Sequence, residues 1–162
     1  VVVLQQAAKR NPLPDYQWAL AEAWRAAGKP EEATQVEAAL VAKGGQDDPR
    51  TLSLYLATRQ EKPDVALRLA QAELQSRADV FTYDAVAWAS FAVGQFTEAQ
   101  SAMKQALSEG TNDPRLFYHA GVIAQQAGQK GEARRYFKLA FAGRHLLLPS
   151  EQAGLLKHMP LA

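Results

Sequence analysis

The sequence predicts an all-α protein, an α-solenoid of stacked antiparallel helix pairs, and three observations lead to this prediction. Alanine supplies 31 of the 162 residues, and alanine is the strongest helix former. No stretch alternates apolar and polar side chains with β-branched enrichment, which is the pattern of a strand. A helix–turn–helix unit also recurs, with an alanine at positions 33, 66, 99 and 133. The length is about that of one domain.

The first unit is a helix, a tight turn and a second helix. Residues 15–27 place Leu20 and Trp24 at helical spacing and stop before Gly28. A glycine just beyond the last apolar residue is a typical helix end. Pro30 then begins the second helix, because the first helical turn needs no N–H from that residue.

The unit recurs three more times, and the second copy is the poorest. The turn and the start of the second helix are repeated at residues 28–33, 61–66, 94–99 and 128–133. Glu61 stands where the other copies have the turn glycine. Pro49 precedes the alanine of its copy by fewer residues than Pro14 or Pro114 precede theirs. We therefore expect the first helix of this copy to be shortened or displaced.

A period of about 34 residues built from paired helices resembles the tetratricopeptide repeat (TPR) family. The fourth copy carries the resemblance best, through Phe117, Ala120, Gly121, Ala124, Gly128, Ala133, Phe137 and Ala140. The resemblance implies about nine helices wound into a right-handed superhelix. By this resemblance the chain divides into the tail of a preceding repeat (1–12), four repeats and a C-terminal capping helix (149–160). The four repeats are 14–47, 48–79, 80–113 and 114–147, and the one at 48–79 is degenerate.

Both ends of the chain carry expectations of their own. Ser150 is expected to cap the last helix and Pro160 to end it. This helix should cover the final apolar face of the array. The chain opens on Val1 without an initiator methionine. We therefore expect it to be a piece of a longer protein, with an uncovered first end that allows weak association between copies.

The resemblance also predicts a partner-binding surface, the concave side of the superhelix lined by first helices. The predicted partner-binding residues are Trp18, Phe81, Asp84, Trp88, Phe91, Arg115, Tyr118, His119 and Val122, and Asp15, Glu22 and Gln125 are expected on the same side. The Lys and Asn set with which some family members grip a C-terminal carboxylate is missing. Two readings stay open for Trp88 and Phe91, packing between neighbouring first helices or contact with a ligand.

No set of residues predicts catalysis, a cofactor or a metal. The sequence from Ser101 to Lys104 has the S-x-x-K spacing of serine acylases but lacks their companion motifs. The three histidines show no helical pairing typical of metal ligands. The absence of cysteine excludes thiol chemistry and disulfides.

The function predicted from the sequence is a non-catalytic protein–protein interaction scaffold that binds a peptide or helical segment. The alternative is an accessory or regulatory helical domain of a larger enzyme or complex. A formal net charge of +1 argues against a nucleic-acid partner, because such proteins usually carry a basic surplus. No membrane span is expected, since no window of 18 apolar residues occurs. The compartment stays open between cytoplasm and periplasm.

Overall fold

The computed structural model describes residues 1–159, and within that range every regular element is helical. In chain order the helices are α1 (Val2–Arg10), α2 (Pro14–Ala26), α3 (Pro30–Asp47), α4 (Pro49–Thr58), α5 (Pro63–Ser76), α6 (Val80–Ala92), α7 (Phe96–Ala106), α8 (Pro114–Gln126), α9 (Lys130–Ala142) and α10 (Pro149–His158). A short 3-10 turn at Arg144–Leu146 precedes α10. The all-α prediction is confirmed, with ten α-helices in the described residues rather than about nine.

The helices pack as four successive pairs. The pairs are α2 with α3, α4 with α5, α6 with α7, and α8 with α9, each joined by a turn of three or four residues. The first helices of the pairs also contact one another in order, so α2, α4, α6 and α8 form a row. We call these four the first helices. This arrangement is consistent with a helical repeat.

Buried alanines let the two helices of a pair approach closely. Ala33, Ala66 and Ala99 are fully buried at matching positions of α3, α5 and α7. In the last pair the close approach involves glycine, since a Cβ on Gly121 would lie 2.5 Å from the ring of Phe137. Small residues at these crossings leave room for the large side chains beside them.

The second pair departs from the others in two ways. Its first helix, α4, has 10 residues where α2, α6 and α8 have 13, so the expected shortening is confirmed. The turn glycine is replaced at Gln60 rather than at Glu61. Gln60 has φ of +55° and donates its N–H to the carbonyl three residues back, as the turn glycines do. One additional residue, Lys62, then precedes α5, also with positive φ.

The last helix, α10, reaches farther than a cap would. It contacts α9 and α8 at one end of the row and also α2 at the other. The expectation that Ser150 caps the helix is wrong, because Leu148 is the N-cap residue and Ser150 lies in the first turn. Pro160, expected to end the helix, lies outside the described residues. α10 therefore bridges the two ends of the row.

Candidate functional site

The structure distributes the predicted partner-binding residues between the interior and the surface. Trp18, Asp84, Trp88, Tyr118 and His119 are buried. Phe91, Arg115 and Val122 are half-buried, and Phe81 is exposed. The five buried side chains have little surface available to a partner in this conformation.

Trp88 is the centre of an aromatic cluster between α6 and α8. Its ring stacks on His119 with centroids 4.0 Å apart and on Phe91 with centroids 5.4 Å apart. The indole Nε1 donates to Thr58 Oγ1 at 3.0 Å. His119 Nδ1 is hydrogen-bonded to Asp84 Oδ1 at 2.8 Å, while its buried Nε2 has no hydrogen-bond partner among residues 1–159. These contacts favour packing as the role of Trp88.

A second cluster joins α2 to the first turn of α10 through Glu22. The Glu22 carboxylate is buried and accepts from Ser150 Oγ at 2.8 Å and from the Ser150 backbone N–H at 3.0 Å. Trp18 Nε1 donates to the same carboxylate at 3.3 Å. The first N–H groups of a helix have no partner within the helix, and a negative charge there is favoured by the helix dipole. Glu22 thus caps α10 from another element of the chain.

Arg115 of α8 binds Glu151, the residue of α10 that follows Ser150. Its Nε donates to Glu151 Oε1 at 2.6 Å, and the other oxygen of that carboxylate accepts from the Leu148 N–H at 2.8 Å. The guanidinium also lies 5.1 Å from the ring centre of Trp18, within cation–π range. Burial would lower the pKa of Arg115, but the Glu151 carboxylate outweighs this effect and holds the pKa above its ordinary value. Arg115 therefore keeps its positive charge beside the buried side chain of Glu151.

One turn farther along, α10 passes against Tyr118. A Cβ on Gly154 would lie 2.3 Å from Tyr118 Oη, so only glycine fits at this crossing without movement. Leu155 beside it is fully buried in a cluster with Tyr118, Phe137 and Leu147. Burial raises the pKa of Tyr118, and the charge of Glu151 adds to the effect. The hydroxyl therefore stays protonated across the physiological range.

A polar cavity of about 310 Å³ remains at the N-terminal ends of the first helices. Three of the predicted residues, Phe81, Asp84 and Arg115, line it together with Arg50 and Asp15. Two of its cations are paired within the chain, Arg50 with Asp79 at 3.7 Å and Arg115 with Glu151 at 2.6 Å. The hydroxyl that lies 3.2 Å from Asp15, that of Thr51, is closer to Asp48 at 2.7 Å. The cavity is a small opening at one side of the row formed by α2, α4, α6 and α8.

The sequence placed Glu22, Arg115 and Tyr118 on the predicted binding side but did not indicate their partners, which are Ser150, Glu151 and Gly154 in that order. These three lie on a helix that was expected to cover the end of the array. The one local signal was a glutamate in the first turn of α10, which also fits an ordinary helix start.

The described residues contain no group of three or more His, Asp or Glu side chains placed to hold a metal ion. Among the same residues, no helix combines the length and apolar character needed to cross a bilayer. Comparison of the chain with protein-family models, with curated proteins and with solved structures finds no match.

Proposed function

We propose that this chain is a non-catalytic interaction scaffold that binds a helical segment of a partner protein on its first helices. We further propose that α2, α4, α6 and α8 line the concave side of a right-handed superhelix of the TPR type. The observation that carries the proposal is the position of α10, a helix that lies against both α2 and α8. The same side chains that hold α10 are suited to hold a helix from another molecule.

The contacts that bind α10 indicate which features a partner helix would need. Glu22 accepts hydrogen bonds from the free N–H groups at a helix start, which every helix has. Arg115 pairs with a carboxylate in the first turn, and charge-assisted pairs of this kind are the strong ones. Tyr118 admits only a very small residue one turn later. The partner is therefore a helix with an acidic first turn and a glycine one turn on.

In the free protein α10 acts as an internal occupant of this surface. It is joined to α9 by the short segment 143–148, which keeps its local concentration high. A partner helix must compete with α10. The apparent affinity for the partner is then the intrinsic affinity multiplied by the fraction of molecules in which α10 has left the surface.

The test measures binding of a fluorescein-labelled peptide of residues 147–159 to the full chain by fluorescence anisotropy. The Ser150→Ala/Glu151→Gln double variant removes the hydroxyl and the charge that hold α10, and so frees the surface. We expect the peptide to bind this variant at least about tenfold more tightly than the unmodified chain, because more molecules are open.

Glu109→Gln is the matched control, since Glu109 is exposed and lies outside the helices. It should bind the peptide as weakly as the unmodified chain. The proposal fails if the double variant releases α10, seen as faster amide exchange over 149–158, and still binds the peptide no better than the control.

A further inference from the structure

A second candidate binding surface lies between α9 and the C-terminal end of α10. It is an open pocket of about 560 Å³, separate from the contacts of α10 with α2. Its floor is apolar, formed by Ala133, Phe137 and Met159. Phe137 is buried and its ring stacks on that of His158, with centroids 4.7 Å apart. Because Phe137 is only 4% exposed, a ligand reaches this floor mainly through the half-buried Met159 and the remaining edge of the Phe137 ring.

The rim of the pocket is uniformly basic. Lys130, Arg134, Lys138 and Lys157 line it, all are exposed, and no carboxylate is among the lining residues. None of the four takes part in an ion pair within residues 1–159. The only carboxylate of α9, Glu132, is paired instead with Arg135 at 2.8 Å. The chain has a net charge of only +1, so four unpaired cations around one pocket are a local concentration of charge.

The spacing of the cations fits a particular ligand shape. Lys130, Arg134 and Lys138 follow one another at intervals of four residues on α9. This interval corresponds to steps of about 6 Å along the helix axis. Carboxylates four residues apart on a second helix have the same spacing. An apolar side chain between those carboxylates would meet Phe137 at the floor.

We propose that this pocket is a docking site for an acidic amphipathic peptide, with carboxylates on the basic rim and an apolar side chain on Phe137. A nucleic acid fits less well, because base recognition in single strands relies on aromatic faces open for stacking. The one phenylalanine of the pocket is buried and stacked on His158. Charge complementarity together with an apolar floor is the usual composition of a protein interface.

The experiment titrates the full chain into a labelled peptide of about 14 residues that carries glutamates four residues apart around two leucines. The same peptide with glutamine in place of glutamate controls for charge, and a thymidine oligonucleotide tests the nucleic-acid alternative. Anisotropy is measured at about 0.15 M ionic strength, where charges more than about 8 Å from the ligand are largely screened.

The Arg134→Gln/Lys138→Gln variant should weaken binding of the acidic peptide by about tenfold, from two exposed charge contacts. The matched control, Lys43→Gln/Arg68→Gln, removes the same charge from one exposed lysine and one exposed arginine of α3 and α5, outside the pocket. It should change the affinity by less than about twofold, since charges farther from the ligand than the screening length contribute little.

Equal losses in the two variants would overturn the proposal, because the attraction would then be to the overall charge. Absence of saturable binding, or equal affinity for the glutamine peptide, would overturn it as well. Tighter binding of the oligonucleotide with the same dependence on Arg134 and Lys138 would assign the pocket to nucleic acid instead.

Discussion

Replacing Gly154 by alanine tests how closely α10 lies against α8. The new Cβ would lie 2.3 Å from Tyr118 Oη and 3.1 Å from Cζ of the same ring, so the tyrosine or the helix must move. Gly131 provides the matched control. It lies in α9, and a Cβ there meets nothing within 4 Å.

The magnitude follows from comparing the two sites. An alanine in place of a helical glycine stabilises its own helix by about 0.5–1 kcal/mol, so this gain falls on α9 in Gly131→Ala and on α10 in Gly154→Ala. Overpacking against Tyr118 costs about 1–3 kcal/mol at Gly154 alone. The net loss of α10 stability in Gly154→Ala is therefore between about 0 and 2.5 kcal/mol, up to roughly 70-fold in its opening equilibrium, whereas without the clash α10 would gain about 0.5–1 kcal/mol.

Amide hydrogen exchange over α10 measures this equilibrium directly. We expect Gly154→Ala to exchange faster there than the unmodified chain, and Gly131→Ala to leave α10 unchanged. Adding Tyr118→Phe removes the Oη atom and should restore most of the protection. Slower exchange of α10 in Gly154→Ala than in the unmodified chain, which is the result of helix propensity without a clash, would refute the close approach of α10 to Tyr118.

Three further predictions concern the core, a turn and pH. Trp88→Ala should cost about 3–5 kcal/mol in urea unfolding because the ring is buried; unchanged stability with lost partner binding would contradict this. Gly94 has φ of +80° in open space, so Gly94→Ala should cost about 1 kcal/mol from backbone strain alone, and an unchanged melting temperature would contradict it. Burial, with a contribution from Lys157, lowers the pKa of His158 below its ordinary value. The unfolded chain then binds the proton more readily, and stability should fall as the pH drops below about 6.5. His158→Phe keeps a ring on Phe137 and should flatten this slope in melting curves, and an identical slope would count against it.

The sequence was sufficient to predict the helix pairs, because their signals are local and repeated. Alanines at equal spacing, turn glycines and prolines at helix starts each act within a few residues of themselves. The second turn shows the limit of such signals. Gln60 takes the left-handed conformation that glycine takes elsewhere, and the additional residue Lys62 shifts the alignment by one. Spacing between alanines alone could not reveal that shift.

The position of α10 could not be predicted from the sequence, because it depends on contacts between distant residues. Glu22 and Ser150 are separated by 128 positions and meet only in the folded chain. Neither residue type is unusual where it stands, since glutamate on a helix and serine in a first turn are both common. Tyr118, predicted to lie on the surface, is buried for the same reason, against Gly154 of α10. Trp18 is buried by contacts with distant residues of the first helices, Tyr55 and Arg115.

The central claim is that α10 and a partner helix compete for one surface. The most direct test adds the unlabelled peptide of residues 147–159 in excess to the full chain labelled with ¹⁵N, and follows the backbone amide signals by NMR. Competition predicts that the signals of Gly154 and its neighbours in α10 shift towards those of a released helix, while those of α5 and α7 stay in place. Saturable binding of the peptide with every α10 signal unchanged would contradict the claim.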